Sequence, residues 1–77
     1  MVQNKKRALI VGAGGIAAAH ARAYSQQRLS GRAEVVGVVD IDPERAAAFA
    51  NEHSLSWHGS ELESALAELK PDVVHIC

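Results

Sequence analysis

A chain of 77 residues is short for one domain, yet 48% of its residues are hydrophobic and only 22% are charged, which is a globular balance and not a disordered one. Its eight basic and nine acidic side chains are interspersed and give a formal net charge of -1, which excludes a nucleic-acid surface or a polybasic membrane patch. The single cysteine cannot form a disulfide within the chain, and no apolar run is long enough to span a bilayer. We therefore expect a cytoplasmic protein with neither nucleic acid nor membrane as a partner.

The first half of the chain alternates apolar runs with a helical segment. Residues 7–11 form an apolar run with β-branched side chains, which predicts a strand covered on both faces. Residues 16–29 are alanine-rich and contain no proline, and they predict a helix with Gly31 as its stop signal. A second buried strand is predicted over residues 33–40, where Gly37 indicates close packing by a neighbouring element.

The alternation continues beyond residue 40. Asp42 and Pro43 predict the N-cap and the first-turn proline of a helix that extends to about residue 52. Residues 55–59 predict a short third strand. Strands that alternate with helices at this spacing predict an α/β fold with a parallel, doubly wound sheet and right-handed crossovers.

The last part of the chain supplies the third helix and the fourth strand. Ser60 and Glu63 have the spacing of a capping box and open a predicted helix that ends at Leu69. An apolar run over residues 73–77 is the fourth predicted strand, and the expected spatial order is 3-2-1-4. Because no polar or turn-forming residue follows that apolar run, we expect residues 1–77 to be the N-terminal portion of a longer protein.

Glycines interrupt the chain between the first strand and the first helix. A secretory signal would share the basic start, but it needs an uninterrupted apolar core, and each glycine weakens such a helix by up to about 1 kcal/mol. In a strand–turn–helix, Gly12 permits the tight turn, Gly14 lets the backbone approach a pyrophosphate, and the small Ala17 lets the helix pack closely. The N–H groups around Gly15 and Ile16 then face the phosphates. The spacing predicts a dinucleotide site, with a purely structural turn as the alternative.

The second strand ends in an acidic residue that bears on the choice of cofactor. Asp40 lies about twenty positions beyond the glycine turn, where an acidic ribose ligand is expected. Its carboxylate would accept hydrogen bonds from both ribose hydroxyls and repel a 2′-phosphate, so we expect NAD, with NADP less favoured. The neighbouring Ile41 is also a candidate cofactor contact and adds no cation. Arg45 is expected either to pair with Glu44 or to be exposed, and the alternative role for Asp40 is that of a turn residue.

Other nucleotide sites fit less well, although one stays open. No G-K-[ST] follows the glycines, which excludes a Walker-type loop, and the first strand lacks the acidic residue usual in methyltransferases. A flavin adenine dinucleotide site would share the turn and Asp40. Cys77 ends the fourth predicted strand, where open parallel sheets bind ligands, so we expect it near the cofactor; an inert buried thiol is the alternative.

The histidines predict no metal site. They are scattered over different predicted elements, and none has a carboxylate or thiol at ligand spacing: His20, His53, His58 and His75. His20 lies about one turn into the first helix and is expected to pack or cap and not to catalyse.

Three segments together resemble a known family: ALIVGAGGIAAAHARAY, VVGVVDIDPERAAAFA and LSWHGSELESALAELKPDVVHIC. They are similar to the N-terminal half of the Rossmann domain in the Gfo/Idh/MocA oxidoreductases, the group of glucose-fructose oxidoreductase and inositol dehydrogenase. The more specific parts are His20, residues 40–46 and the terminal PDVVHIC. The resemblance implies an NAD(P)-dependent enzyme that transfers a hydride between the nicotinamide and a sugar, polyol or related small hydroxylated compound.

The resemblance also implies parts that these residues do not supply. Members carry a second α/β domain that holds the substrate, commonly form homo-oligomers, and have a catalytic lysine in an E-K-P-like segment. Lys70-Pro71 is preceded by Leu69 and does not match that motif, so the catalytic residues stay unknown. A catalytically silent NAD-binding sensor is therefore the alternative function, and a segment that neither folds alone nor binds a ligand is the third possibility.

Overall fold

The computed structural model describes residues 6–29 and 33–77, which form a four-stranded parallel sheet with helices between the strands. The elements in chain order are β1 (Lys6–Val11), α1 (Gly15–Leu29), β2 (Ala33–Val39), α2 (Pro43–His53), β3 (His58–Gly59), α3 (Leu62–Leu69) and β4 (Val73–Ile76). The spatial order is β3-β2-β1-β4. This confirms the predicted fold class and strand order; Gly31, the predicted helix stop, lies outside the described residues.

The start of α3 differs from the prediction. Glu61 is the N-cap of this helix and makes no side-chain cap hydrogen bond, so the capping box at Ser60 and Glu63 is wrong. The reason lies in the sheet: the N–H of Asp40 donates to the carbonyl of Gly59 at 3.1 Å. That bond keeps the chain in the sheet as far as Gly59, and the N-cap lies one residue later than its pattern suggests, at Glu61 instead of Ser60. β3 is also shorter than predicted, because only two of its residues pair with β2.

The N-cap of α2 agrees with the prediction. The carboxylate oxygen Oδ1 of Asp42 accepts hydrogen bonds from the N–H of Glu44 at 3.0 Å and of Arg45 at 3.4 Å. Pro43 is the first helical residue, where its missing N–H costs nothing. Within the described residues, no helix combines the length and the apolar character that a membrane crossing would need.

The two central strands, β1 and β2, are buried on both faces. The residues that fill the face covered by α1 and α2 are Ile10, Ala17, Ala21, Val38, Ala46, Phe49 and Ala50. On the opposite face, Leu9 and Val39 pack against Ala65 of α3. Leu9 and Ile10 are fully buried, and each stabilises the fold by roughly 1.5–3 kcal/mol. The expectation that the first strand is covered on both faces is therefore confirmed.

Gly37 of β2 lies against the end of α3 and the residue that precedes β3. A Cβ at this position would lie 2.7 Å from Cδ1 of Leu69 and 3.3 Å from the carbonyl oxygen of Trp57. The indole N–H of Trp57 donates to Oε2 of Glu68 at 2.8 Å, which holds the ring in place. This glycine therefore leaves room for two side chains, as its position within a strand predicts.

We expect the substitution Gly37→Ala to lower the free energy of unfolding by about 1–3 kcal/mol, because the added methyl overfills this contact. Urea unfolding followed by circular dichroism measures the change. The leucine methyl can move more easily than the tryptophan carbonyl, so adding Leu69→Val should recover part of the loss. A Gly37→Ala protein as stable as the parent would contradict the packing described here.

Candidate dinucleotide-binding site

The turn after β1 joins the carboxyl ends of three strands. Gly12 has a φ of +96°, and its N–H donates to the carbonyl of Val39 at the end of β2 at 2.6 Å. A Cβ on Gly12 would lie 2.9 Å from the carbonyl oxygen of Cys77, which follows β4. The N–H of Cys77 in turn donates to the carbonyl of Val11 at 2.9 Å. Both the backbone conformation and the close approach therefore require glycine at position 12.

The next two glycines have open space beside them. A Cβ at Gly14 or Gly15 would meet no heavy atom within 4 Å, and Ile16 is 68% exposed. The N–H of Ala18 donates to the carbonyl of Gly14 at 3.1 Å, so the N–H groups of residues 15–17 precede the intrahelical hydrogen bonds. The positive end of the α1 dipole thus faces an opening that would admit an anionic group. Ala17 is fully buried in the core cluster that also contains Ile10 and Val38, which agrees with its predicted packing role.

Asp40 connects the glycine turn to the turn after β2. Its Oδ2 accepts a hydrogen bond from the N–H of Ala13 at 2.9 Å, and its Oδ1 accepts one from the N–H of Asp42 at 2.9 Å. The side chain is 5% exposed, and Nη1 of Arg45 lies 3.7 Å from Oδ2. The carboxylate thus stabilises its own turn, as the alternative interpretation required, and also holds the glycine turn in position.

These contacts lower the pKa of the Asp40 carboxyl. The N–H of Asp42 and then that of Ala13 hold the pKa of this carboxyl below its ordinary value, with a smaller contribution from Arg45, while burial acts in the opposite direction. The carboxylate is therefore ionised over the whole physiological range. A negative charge is fixed at the carboxyl end of β2.

A cleft of about 320 Å³ opens beside this carboxylate. The residues that line it are Val11, Gly12, Val39, Asp40, Ile41, Arg45, Ser60 and Leu62. Of the predicted cofactor contacts, the structure brings Gly12, Asp40 and Ile41 together here, and Ile41 is 93% exposed. Gly14, Gly15, Ile16 and Cys77 lie around the adjacent glycine turn and do not line this cleft.

Two polar residues of the cleft were missed as site residues from the sequence. Arg45 is exposed, which was one of the two expectations for it, and its guanidinium lies beside Asp40. Ser60 was assigned to a helix cap, and it follows β3 at the edge of the sheet where Asp40 also lies. The order 3-2-1-4 could have indicated Ser60, because residues that follow adjacent parallel strands share one edge of the sheet.

Aromatic side chains connect α1 to β4 away from the cleft. The ring of His20 stacks on that of His75 with centroids 4.9 Å apart, and the hydroxyl of Tyr24 forms a hydrogen bond with Nε2 of His75. His20 therefore packs, as expected. Over residues 6–29 and 33–77, no three His, Cys, Asp or Glu side chains form a group that could hold a metal ion. Cys77 is exposed, so the alternative of a buried thiol is wrong.

The comparison with protein families agrees with this geometry. The family model described as "Oxidoreductase family, NAD-binding Rossmann fold", GFO_IDH_MocA, matches residues 6–77. The chain belongs to the Gfo/Idh/MocA oxidoreductase family. The resemblance stated from the sequence is thereby confirmed, and so is NAD as the cofactor of the family. None of the curated proteins compared with this chain matches it.

Solved structures similar to this Gfo/Idh/MocA chain include two WlbA dehydrogenases. The enzyme from Chromobacterium violaceum is 32% identical, with a TM-score of 0.82 over 99% of this chain. The enzyme from Bordetella pertussis is 30% identical, with a TM-score of 0.84 over 96% of this chain. Both were crystallised with NADH and UDP-GlcNAcA. The chain spans only 21% and 22% of the lengths of these two dehydrogenase chains.

The hydrogen bonds of Asp40 predict an acid-sensitive contribution to stability in this Gfo/Idh/MocA chain. Because the pKa of the folded state is lowered, this contribution is present above about pH 4, the ordinary pKa of aspartate, and is lost as the pH falls through the folded value. We expect Asp40→Asn to be less stable near neutral pH, since its amide NH₂ must face one of the two backbone donors. Its stability should also fall less steeply in acid.

The matched control is Asp42→Asn, which removes the same charge two residues later but keeps a good N-cap. Urea unfolding at about pH 7 and about pH 3 compares the variants, because a carboxylate changes the pH dependence of stability only where its pKa differs between the folded and unfolded states. If the free energy of unfolding fell equally steeply with pH in Asp40→Asn and in the parent, Asp40 would not form this connection.

Proposed function

We propose that this chain is the N-terminal portion of the NAD-binding domain of a dehydrogenase that acts on a small hydroxylated compound of the sugar or polyol class. The observation that carries the proposal is the contrast within the glycine turn. Gly12 is closed in by Cys77, whereas Gly14 and Gly15 lie beside open space at the start of α1. A turn that served the fold alone would have no need for glycine at the two open positions.

The geometry supports one orientation of NAD on these residues. The pyrophosphate would lie over residues 14–16, where the backbone N–H groups and the helix dipole provide positive potential without side chains in the way. The adenosine ribose would lie in the cleft beside Asp40. Each carboxylate oxygen of Asp40 accepts one backbone hydrogen bond and has a second lone pair for a ribose hydroxyl. The exposed Ile41 and Leu62 offer apolar contacts to the adenine ring.

The nicotinamide then extends toward the end of β4, where Cys77 lies. This follows from the sheet order, because β1 lies between β2 and β4 and the crevice at the reversal of strand order receives the middle of a dinucleotide. Bound NAD would supply the hydride chemistry, and the residues of this chain would bind and orient it. The candidate cofactor contacts are therefore Gly12, Gly14, Gly15, Ile16, Asp40, Ile41 and Cys77.

The substrate part of the proposal is supported by the similar dehydrogenases. Both WlbA enzymes were crystallised with UDP-GlcNAcA as well as NADH, so a carbohydrate substrate is consistent with the family and with the sequence expectation. We further propose that the catalytic residues belong to a second, substrate-binding domain, and that the complete protein forms a homo-oligomer.

The substitution Gly14→Val tests the proposed cofactor site. The structure has room for the new side chain, so the fold should be retained. The valine would occupy the space proposed for the pyrophosphate, and we expect NADH affinity to fall by at least about tenfold, equivalent to 1.4 kcal/mol. Titration followed by NADH fluorescence gives the affinity, and circular dichroism reports the fold.

The matched control is Ala19→Val, which adds a β-branched side chain at an exposed position of the same helix. It introduces the same β-branched side chain on the adjoining helix α1 but lies away from the glycine turn. NADH binding that is unchanged in Gly14→Val, or lowered equally in both variants, would refute the assignment of the turn to the pyrophosphate.

A further inference from the structure

Three ring side chains meet between α1 and β4. His20 and Tyr24 lie about one turn apart on α1, on the same side of the helix, and His75 lies on β4. The ring of His20 stacks on that of His75 with an angle of 25° between the two planes, and the ring of Tyr24 meets His75 edge-on with centroids 5.3 Å apart. The Tyr24 hydroxyl also forms a hydrogen bond with Nε2 of His75. These three residues are called the ring cluster below.

The ring cluster holds a strand that has few other attachments. In the described sheet β4 pairs with β1 alone, and three of its side chains are exposed: Val73 and Val74 at 38% and Ile76 at 81%. Among the side-chain hydrogen bonds within residues 6–29 and 33–77, the bond between Tyr24 and His75 is the only one that reaches β4. The position of β4 relative to α1 therefore depends on these rings.

The ring cluster lies just below the proposed nicotinamide end of the site. His75 precedes Cys77 by two residues, which places their Cα atoms about 6–7 Å apart along the chain. The carbonyl of Cys77 in turn approaches Gly12 too closely to admit a side chain there. His20 lies about one turn after Ile16, at the start of the same helix whose N–H groups face the proposed pyrophosphate. A shift of β4 at His75 would therefore move Cys77 relative to the glycine turn.

We propose that His20, Tyr24 and His75 are positioning residues of the cofactor site: they fix the carboxyl end of β4 at the distance from the glycine turn at which it supports the nicotinamide ring. They do not touch the cofactor and act through the backbone and side chain of Cys77. This inference rests on the proposed function, since it assigns a role within the same site. It goes beyond the sequence expectation, in which His20 only packs or caps.

The substitution Tyr24→Phe tests the role with the smallest change, because it removes one hydroxyl and keeps the ring. We expect NADH affinity to fall by about three- to tenfold, the range of one hydrogen bond. ADP-ribose lacks the nicotinamide, and Asp40 holds the turns that would bind its other parts. Its affinity should therefore stay within about twofold of the parent value, as expected for distant sites.

The stack predicts a rescue by a second ring. His20→Ala removes the ring that stacks on His75, and NADH affinity should fall as it does in Tyr24→Phe. His20→Phe restores an aromatic ring at the same position and should bind NADH more tightly than His20→Ala does.

The experiment compares NADH with ADP-ribose on the full chain. Calorimetry gives the affinity for ADP-ribose, and titration followed by nicotinamide fluorescence gives that for NADH. The emission maximum of bound NADH is a second readout, because a ring less well held at β4 is more exposed to water and emits at longer wavelength. Arg7→Met is the matched control: Arg7 donates from Nε and Nη2 to the carbonyl of Leu69, close to the opposite end of β4. Circular dichroism and urea unfolding report the fold and the stability of each variant.

The outcomes separate this inference from the proposed function. A ratio of NADH to ADP-ribose affinity that falls in Tyr24→Phe and not in Arg7→Met supports the role of the ring cluster. A ratio that is unchanged in Tyr24→Phe, or lowered equally in Arg7→Met, overturns the inference and leaves the proposed function in place. A parent that binds NADH no more tightly than ADP-ribose also overturns it. If the parent binds neither ligand, both are refuted. If His20→Ala does not fold, Tyr24→Phe decides on its own.

Discussion

The close approach of Gly12 to Cys77 is the constraint on which the rest of the site depends. It brings the ends of β1 and β4 together, while the N–H of Gly12 attaches the same turn to the end of β2. Three strands therefore converge on one residue without a side chain. The start of α1, the cleft beside Asp40 and the exposed end of β4 all take their positions from that convergence, which is also the reversal of strand order where open α/β sheets bind ligands.

The three glycines of the turn are alike in the sequence but not in the structure. Gly12 is required by a positive φ and by a neighbouring carbonyl, whereas Gly14 and Gly15 lie beside open space. Stability thus depends on the first glycine, and cofactor binding would depend on the other two. This separation explains why a substitution at Gly14 can test function without disturbing the fold.

The order and type of the elements could be predicted because they follow from local signals. The local signals are apolar runs bounded by glycine, an Asp-Pro helix start and short connections. Together they predict a parallel sheet, and tertiary contacts do not change the type or order of its elements. The start of α3 could not be predicted in this way. The bond from Asp40 to Gly59 keeps the chain in the sheet and overrides the capping-box spacing. The position of Arg45 beside Asp40 depends on the path of the turn between them, and residue spacing alone left it undecided.

Asp40 connects stability to the proposed binding more closely than any other residue of the site. Its two oxygens hold the glycine turn and the turn after β2, so the carboxylate positions the proposed phosphate site even though it would contact only the ribose. Changing Asp40 therefore alters two parts of a bound dinucleotide at once. A loss of affinity in such a variant combines a lost ribose contact with a displaced turn. Arg45 forms neither of those backbone connections, and substituting it changes the charge at the cleft while the turn stays in place.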